Sequence, residues 1–557
     1  MKFRKSVVIL MTALFGCSLL AGCGGARGAD RDPKTLNIAM AESGYGSGWV
    51  TEIGEAFEKL YALQGYKVNL LKPRSTLTGR TALSEMRLGI ASGVDLWLVT
   101  GVTIPDALDE EYGVCVEKMT DMYEQKPINF DGSEGQTALK DLYKSRLLWT
   151  ATDEAGDFWS YAFSESVRGL VCNAKVLQDY GITEMPRTTN ELFDCYDKIY
   201  NGANGKKGST STGVYPTTWG GNNAYGYTLS TLWPHLAQLM GVAAYEDFAD
   251  LNYLRDDLQK LASGYEVYDG IEQDVVEAVK VYLKEYDVVY STPGSSTQKH
   301  DVAHARLVLE RAAFTTDGEY FYNEIRTNFP DKVGNLKFIP IPMISYLGQK
   351  LQLDGTGTDA AKCDKILSHM IKLIDEGKSA AQIKSEISTQ FSVTISDEQV
   401  ARVTEARHTN FGSYNATGGY ITKNSEKADI AKLFLRMMAS RDGAKVLAKY
   451  GMLSAYEKAE ASDFASDFSK SALEISKNSV HYVDYNGKTG SLRTKMNLFI
   501  LPGYNATLPV QVAEQFGVVD SPNKRNYAEM AQAVYDKAEA EVRTNWKTYL
   551  QRAGYDL

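Results

Sequence analysis

The sequence is short of histidine, short of cysteine and without any excess of positive charge, and each shortage closes off a class of chemistry. Six histidines (His235, His300, His304, His369, His408 and His481) are scattered and make no HExxH. The helical zinc-hydrolase pair is therefore missing. His300 and His304 read as surface residues. Six cysteines show no CxxC pair and no metal spacing. Cys115, Cys172, Cys195 and Cys363 read as small hydrophobes rather than a disulfide framework. Formal net charge is −10, which argues against nucleic acid as a partner. No GxSxG elbow is present, because Tyr45 stands where Ser47 would need a glycine. Only one long apolar run exists, residues 6–20, and it falls short of the ~20 residues that span a bilayer.

That run is informative. Lys2, Arg4 and Lys5 precede it, and Leu20-Ala21-Gly22-Cys23 closes it with small residues and a thiol. The three-part build is that of a secretory signal. The tetrapeptide resembles a bacterial lipoprotein lipobox, which implies cleavage after residue 22 and lipidation of Cys23. Two acyl chains would hold the protein stably on the outer side of a membrane, where one is marginal. The mature chain would carry 57 basic against 70 acidic residues, net −13. Its length exceeds what a single core usually supports, so two lobes are expected.

Residues 23–34 are small and polar and read as a flexible tether. The body then opens strand–helix–strand–helix–strand. Strands are expected at 36–40, 66–71 and 94–99. The helices between them place Val50, Ile53, Phe57 and Leu60, then Leu83, Met86 and Ile90, at helical spacing. Gly93 suits the second helix stop. This is an α/β lobe with a parallel sheet. Gly44, Gly46 and Gly48 imitate a dinucleotide fingerprint, but the third glycine comes one residue early and Lys72 stands where an acidic ribose ligand belongs. They read as a turn. Thr188 and Glu191 have capping-box spacing at a helix start. The run Phe338-Ile339-Pro340-Ile341-Pro342 reads as an edge strand.

Several segments in register resemble family 1 extracellular solute-binding proteins, the capture subunits of ATP-binding-cassette importers for sugars. They are Ser92-Gly93-Val94-Asp95-Leu96-Trp97, residues 169–177, 181–192 and 312–320, and the stretch from Tyr420-Ile421 to Gly451-Met452-Leu453-Ser454-Ala455-Tyr456. The resemblance implies a two-lobe, periplasmic-binding-protein-like α/β fold of type II with hinge crossovers. It places lobe 1 at residues 35–163 plus 420–452 and lobe 2 at 167–417 plus 456–557. Residues 346–410 look like a helical insertion. It implies a sugar ligand captured between the lobes, permease subunits as partners, a monomer, no cofactor, no metal and no catalysis.

Sugars offer CH-rich faces to aromatic rings and hydroxyl rims to polar groups. Loops at the carboxyl ends of sheet strands are where such a ligand should sit. On the first lobe these carry Glu42, Tyr45, Trp49, Arg80 and Thr100. On the second they carry Trp219, Asn222 and Tyr225, then Asp317, Glu319 and Tyr320. Trp219 and Tyr320 are the favoured stacking rings, although Tyr320 stands where the family has tryptophan. Each has a plainer reading: Trp219 as core, Trp49 as a turn staple, Arg80 as a partner of Glu85. Trp97 reads as core and Asp95 as structural. The 34 tyrosines favour an oligosaccharide. Rival readings are a binding protein for a peptide or polyamine, and an extracytoplasmic glycosidase, which needs two carboxylates placed across the scissile bond. Residues 354–359 have the flavour of a calcium loop without its distant glutamate.

Overall fold

The computed structural model describes residues 28–555, except 43, 110–112, 144–150, 154, 224–228, 252–253, 255–260, 262–266, 269, 412–417, 484–490, 497, 499 and 502–524. The segment expected to be a secretory signal, Cys23 and Tyr225 lie outside the described residues. Among those described, no helix is long and apolar enough to cross a membrane. The chain divides into two units: residues 1–165 with 414–463, and residues 166–413 with 464–557. The strands, in chain order, are β1 (Thr35–Met40), β2 (Lys67–Leu70), β3 (Leu96–Val99), β4 (Tyr161–Ala162), β5 (Arg168–Asn173), β6 (Tyr215–Thr217), β7 (Ala312–Gly318), β8 (Leu336–Ile339), β9 (Thr409–Phe411), β10 (Gly418–Ile421) and β11 (His481–Val483).

Unit 1 holds a five-stranded sheet in the order β2-β1-β3-β10-β4. The first three strands run parallel, whereas β10 enters antiparallel between β3 and β4. Every residue of β1 and β3 is buried, as expected of strands covered on both faces. The helix Gly48–Leu60 buries Val50, Ile53 and Phe57, as their spacing predicts, and Trp49 besides, while Leu60 at its end is half-buried. The second helix stops sooner than its spacing predicts. It ends at Met86, a 3-10 turn follows, and Gly93 closes that turn at φ 73°. Ile90 is therefore exposed rather than part of the apolar face.

Asp95 is structural, as read. Its carboxylate accepts from the Asn37 backbone amide (2.9 Å) and the Ser425 hydroxyl (2.8 Å), and lies 3.1 Å from the Lys427 ammonium. Trp97 is core, and its indole donates to Thr422 Oγ1 at 2.8 Å.

Unit 2 holds a four-stranded sheet, β6-β7-β5-β8, with β5 antiparallel to both neighbours and β8 at the edge, followed at once by Pro340. Strands β9 and β11 form a separate parallel pair. Residues 346–410 are mostly helical: Tyr346–Lys350, Ala360–Asp375, Ala380–Phe391 and Asp397–Arg407 precede β9. The last long helix, Tyr527–Arg552, packs on Glu272–Glu285 and buries Met530, Val534, Val542 and Trp546. At the 188–201 helix, Thr188 caps as expected, but the Glu191 side chain accepts from the Arg187 amide (2.7 Å) rather than closing a reciprocal box. The Asp354 carboxylate is occupied by the amides of Thr356 and Asp359 at 2.8 and 2.9 Å and by that of Gly357. It orders the turn before the helix Ala360–Asp375, and no cluster of metal-ligand residues is found among the described residues. The four cysteines are free and buried.

Candidate functional site

In unit 1 the loops after β1, β2 and β3 are tied into one polar edge by backbone bonds. Glu42 N donates to Arg74 O at 3.1 Å, Gly79 N donates to Thr100 O at 2.8 Å, and Ala41 N donates to Leu98 O at 2.8 Å. Ala41 also bridges Arg74, and Thr78 bridges Thr100. This ladder carries Glu42, Arg80 and Thr100 to the carboxyl ends of the parallel strands, where Glu42 and Arg80 are exposed and Thr100 is half-buried. Arg74 makes the bidentate pair with Glu85, at 2.9 and 2.7 Å, so Glu85 does not consume Arg80.

Two aromatic expectations on this unit are corrected. Trp49 is fully buried, stacks on Phe163 with centroids 5.4 Å apart, and donates its indole N–H to Gly46 O at 3.1 Å. It staples the glycine turn, the plainer of its two readings. Tyr45 is also buried. Neither ring offers an open face to a ligand.

In unit 2 the expected site residues separate. Trp219 is 2% exposed, sits edge-on to Tyr286 and donates to Ser291 Oγ at 2.8 Å. It is a core residue, and the expectation that it stacks on a ligand is corrected. The reason lies in its glycines. A Cβ on Gly220 would stand 2.7 Å from the His300 backbone, and one on Gly221 2.1 Å from Ser296 O. The glycines permit close backbone packing that buries the loop, where the sequence suggested an open loop. Asn222 is exposed next to this packed turn, and its amide N–H donates to Gln298 O at 3.0 Å.

The end of β7 carries the other group. Asp317 and Glu319 are buried, while Tyr320 is half-buried. Glu319 accepts from Val167 N (2.9 Å) and the Ser166 hydroxyl (3.1 Å), so it fastens its own strand end. Asp317 lies 2.5 Å from His304 Nε2 and 3.8 Å from the Arg168 guanidinium. His304 Nδ1 faces Glu324 at 3.3 Å. His304 is thus buried between carboxylates, contrary to its surface reading. Burial lowers its pKa, but Asp317 and then Glu324 outweigh this and bring it to about 9. The Arg168 guanidinium lies over the Tyr320 ring, 5.1 Å from its centroid, and donates to the Tyr320 hydroxyl. Asp317 and Glu319 therefore act as supports, which sequence spacing could not reveal because His304 and Arg168 are distant along the chain. Tyr320 alone of the three presents surface.

Among the described residues, fifteen tyrosines are buried. Tyr161 stacks on Tyr456 at 4.7 Å, and the Tyr123 and Tyr456 hydroxyls are 2.7 Å apart, all three rings being buried.

No protein-family model and no curated protein matches the chain. Among solved structures it is similar to a chitin oligosaccharide binding protein, at 14% identity over 91% of this chain and 99% of that one, TM-score 0.50. It is similar to a bacterial solute receptor with an exclusive substrate preference for β-D-galactopyranose, at 11% identity over 92% and 99%, TM-score 0.50. An ABC transporter solute binding protein from Thermotoga lettingae, bound with α-D-tagatose, matches at 13% identity over 92% and 100%, TM-score 0.50. The chain has the two-lobe α/β fold of such solute-binding proteins, and the three named are binding proteins or receptors.

Proposed function

We propose that the protein is the carbohydrate-binding component of an ABC importer, held on the outer side of a bacterial membrane through a lipidated Cys23. The observation that carries this reading is the ladder that collects exposed Glu42 and Arg80 with Thr100 at the ends of parallel strands, in a fold shared with sugar-binding receptors. Open α/β sheets take ligands at the carboxyl ends of their strands. Tyr320 in unit 2 supplies the ring for a CH-rich face, with Arg168 fixing its tilt. The protein performs no catalysis: its work is to bind a sugar and present it to permease subunits, as a monomer.

A thermal-shift series over mono- and oligosaccharides tests this, because a ligand that binds only the folded form raises the melting temperature. Arg80→Ala and Tyr320→Ala are each expected to weaken the responding sugar by about 10- to 100-fold, or roughly 1–3 kcal/mol. Their unliganded melts should match the parent. A panel in which no sugar shifts the melt, while a polyamine or peptide does, would reject the carbohydrate reading.

A further inference from the structure

Unit 2 contains a groove of about 560 Å³ that no expectation from the sequence pointed to. Its volume falls in the ~300–1,000 Å³ range of small-molecule sites. Pro340 and Ile341 give it an apolar floor. His408 lines it, as do Ser471 and Asn478 from the helix Asp467–Asn478.

The charges around it are already matched. Arg407 grips Asp375 through two bonds of 2.8 and 2.7 Å, Lys470 pairs with Asp467 at 3.1 Å, and Glu474 pairs with Lys477 at 2.9 Å. An anion would find no uncommitted cation, and a cation no uncommitted carboxylate. What remains is neutral hydrogen-bonding capacity. Among the described residues the side chains of His408, Ser471 and Asn478 make no hydrogen bond to protein. Burial, then Arg407, lowers the His408 pKa, which keeps the ring neutral, with one nitrogen to donate and one to accept. Neutral donors and acceptors beside an apolar lining match the hydroxyl rim and CH-rich faces of a pyranose ring.

We infer that this groove is a second small-molecule site, specific for a neutral hydroxyl-rich ligand of mono- to disaccharide size and separate from the strand-end loops of unit 1. It goes beyond the proposed import function, because it needs neither those loops nor Tyr320. Its lining lies close in sequence to two of the unit boundaries. His408 lies five residues before Ser413, and the helix Asp467–Asn478 begins four residues after Asp463. Close to the groove, the Asn410 side-chain amide accepts from Arg168 N and donates to Arg168 O, both at 3.0 Å.

Hydrogen–deuterium exchange on the full chain, with galactose, N,N′-diacetylchitobiose and spermidine as separate probes, tests the assignment. One of the sugars should protect peptides spanning 407–411 and 467–479. That protection should persist in Arg80→Ala, weaken at least about fivefold in apparent affinity in Asn478→Ala, and vanish in Ser471→Trp, whose indole fills the groove. The Asn478→Ala variant keeps the test decisive if Ser471→Trp misfolds. Protection by spermidine alone, protection unchanged in both groove variants, loss in Arg80→Ala, or no protection of these peptides by either sugar would each overturn it. Failure of the import reading shows elsewhere, as no sugar-dependent protection in residues 41–49, 74–80 and 100–103.

Discussion

A urea melt at pH 8 is expected to show a less stable protein than one at pH 5, with Glu285→Gln removing most of the difference. Glu285 is buried, and its Oε2 has no partner among the described residues. Burial pushes its pKa from an ordinary value of 4.5 up to about 8, with a Thr231 hydrogen bond opposing. The sign follows from proton counting. Between pH 4.5 and 8 the unfolded chain has released the proton and the folded chain keeps it, so folding must take one up. The contribution is complete below 4.5 and drains away as pH rises to about 8, a loss of about 4–5 kcal/mol if the shift is fully expressed. His304 acts in the same direction over a later window. Its raised pKa gives stability that is present below 6.5 and lost as pH climbs through about 9. His235 acts the other way, since burial holds it near 4 and stability is lost as pH falls from 6.5. Comparing parent with Glu285→Gln at each pH cancels both histidines. An unchanged pH slope in the variant would refute the assignment.

Trp219→Ala is expected to destabilise the protein by about 3–5 kcal/mol, the usual cost of emptying a large core position. The indole is buried against Tyr286 and bonded to Ser291, so removing it leaves a cavity and strips Ser291 of a donor. A calorimetric melt measures this directly. Any loss of sugar affinity should disappear below the variant's melting range, where the protein is folded. A variant with an unshifted melt and selectively lost binding would return Trp219 to the ligand site. Tyr320→Ala gives the contrast: its ring is half-buried, so it should lower affinity with little change in the melt.

These two residues also show what the sequence could and could not convey. Apolar spacing exposed the strand–helix alternation of unit 1, because burial repeats every second residue in a strand and every third or fourth in a helix. Motifs in register conveyed the fold class, and strand periodicity placed Glu42, Arg80 and Thr100 near the carboxyl ends of the parallel strands. Side-chain exposure in the loops was not legible. The glycines around Trp219 and Trp49 look the same on paper whether they open a loop or let two backbones touch. Contacts distant in sequence decided each case: Ser296 and His300 against Gly220 and Gly221, Phe163 against Trp49. His304 was misplaced for the same reason, since its carboxylate partners lie on other elements. The groove beside Asn478 left no local pattern at all. It forms from four stretches of chain, each with an ordinary composition.

The position of β10 has a consequence for synthesis. It lies between β3 and β4, and among the described residues β4 pairs with no other strand, so residues 418–421 must arrive before the first sheet can close. Until more than four hundred residues have emerged, β3 keeps an open edge and the N-terminal part cannot settle into its final pairing. The export proposed above would gain from that delay, because the chain stays loose enough to pass and locks only when nearly all of it is through. The same open edge is a hazard if passage stalls: a chain halted before Gly418 would present Leu96 to Val99 as a bare apolar strand, ready to pair with another stalled copy.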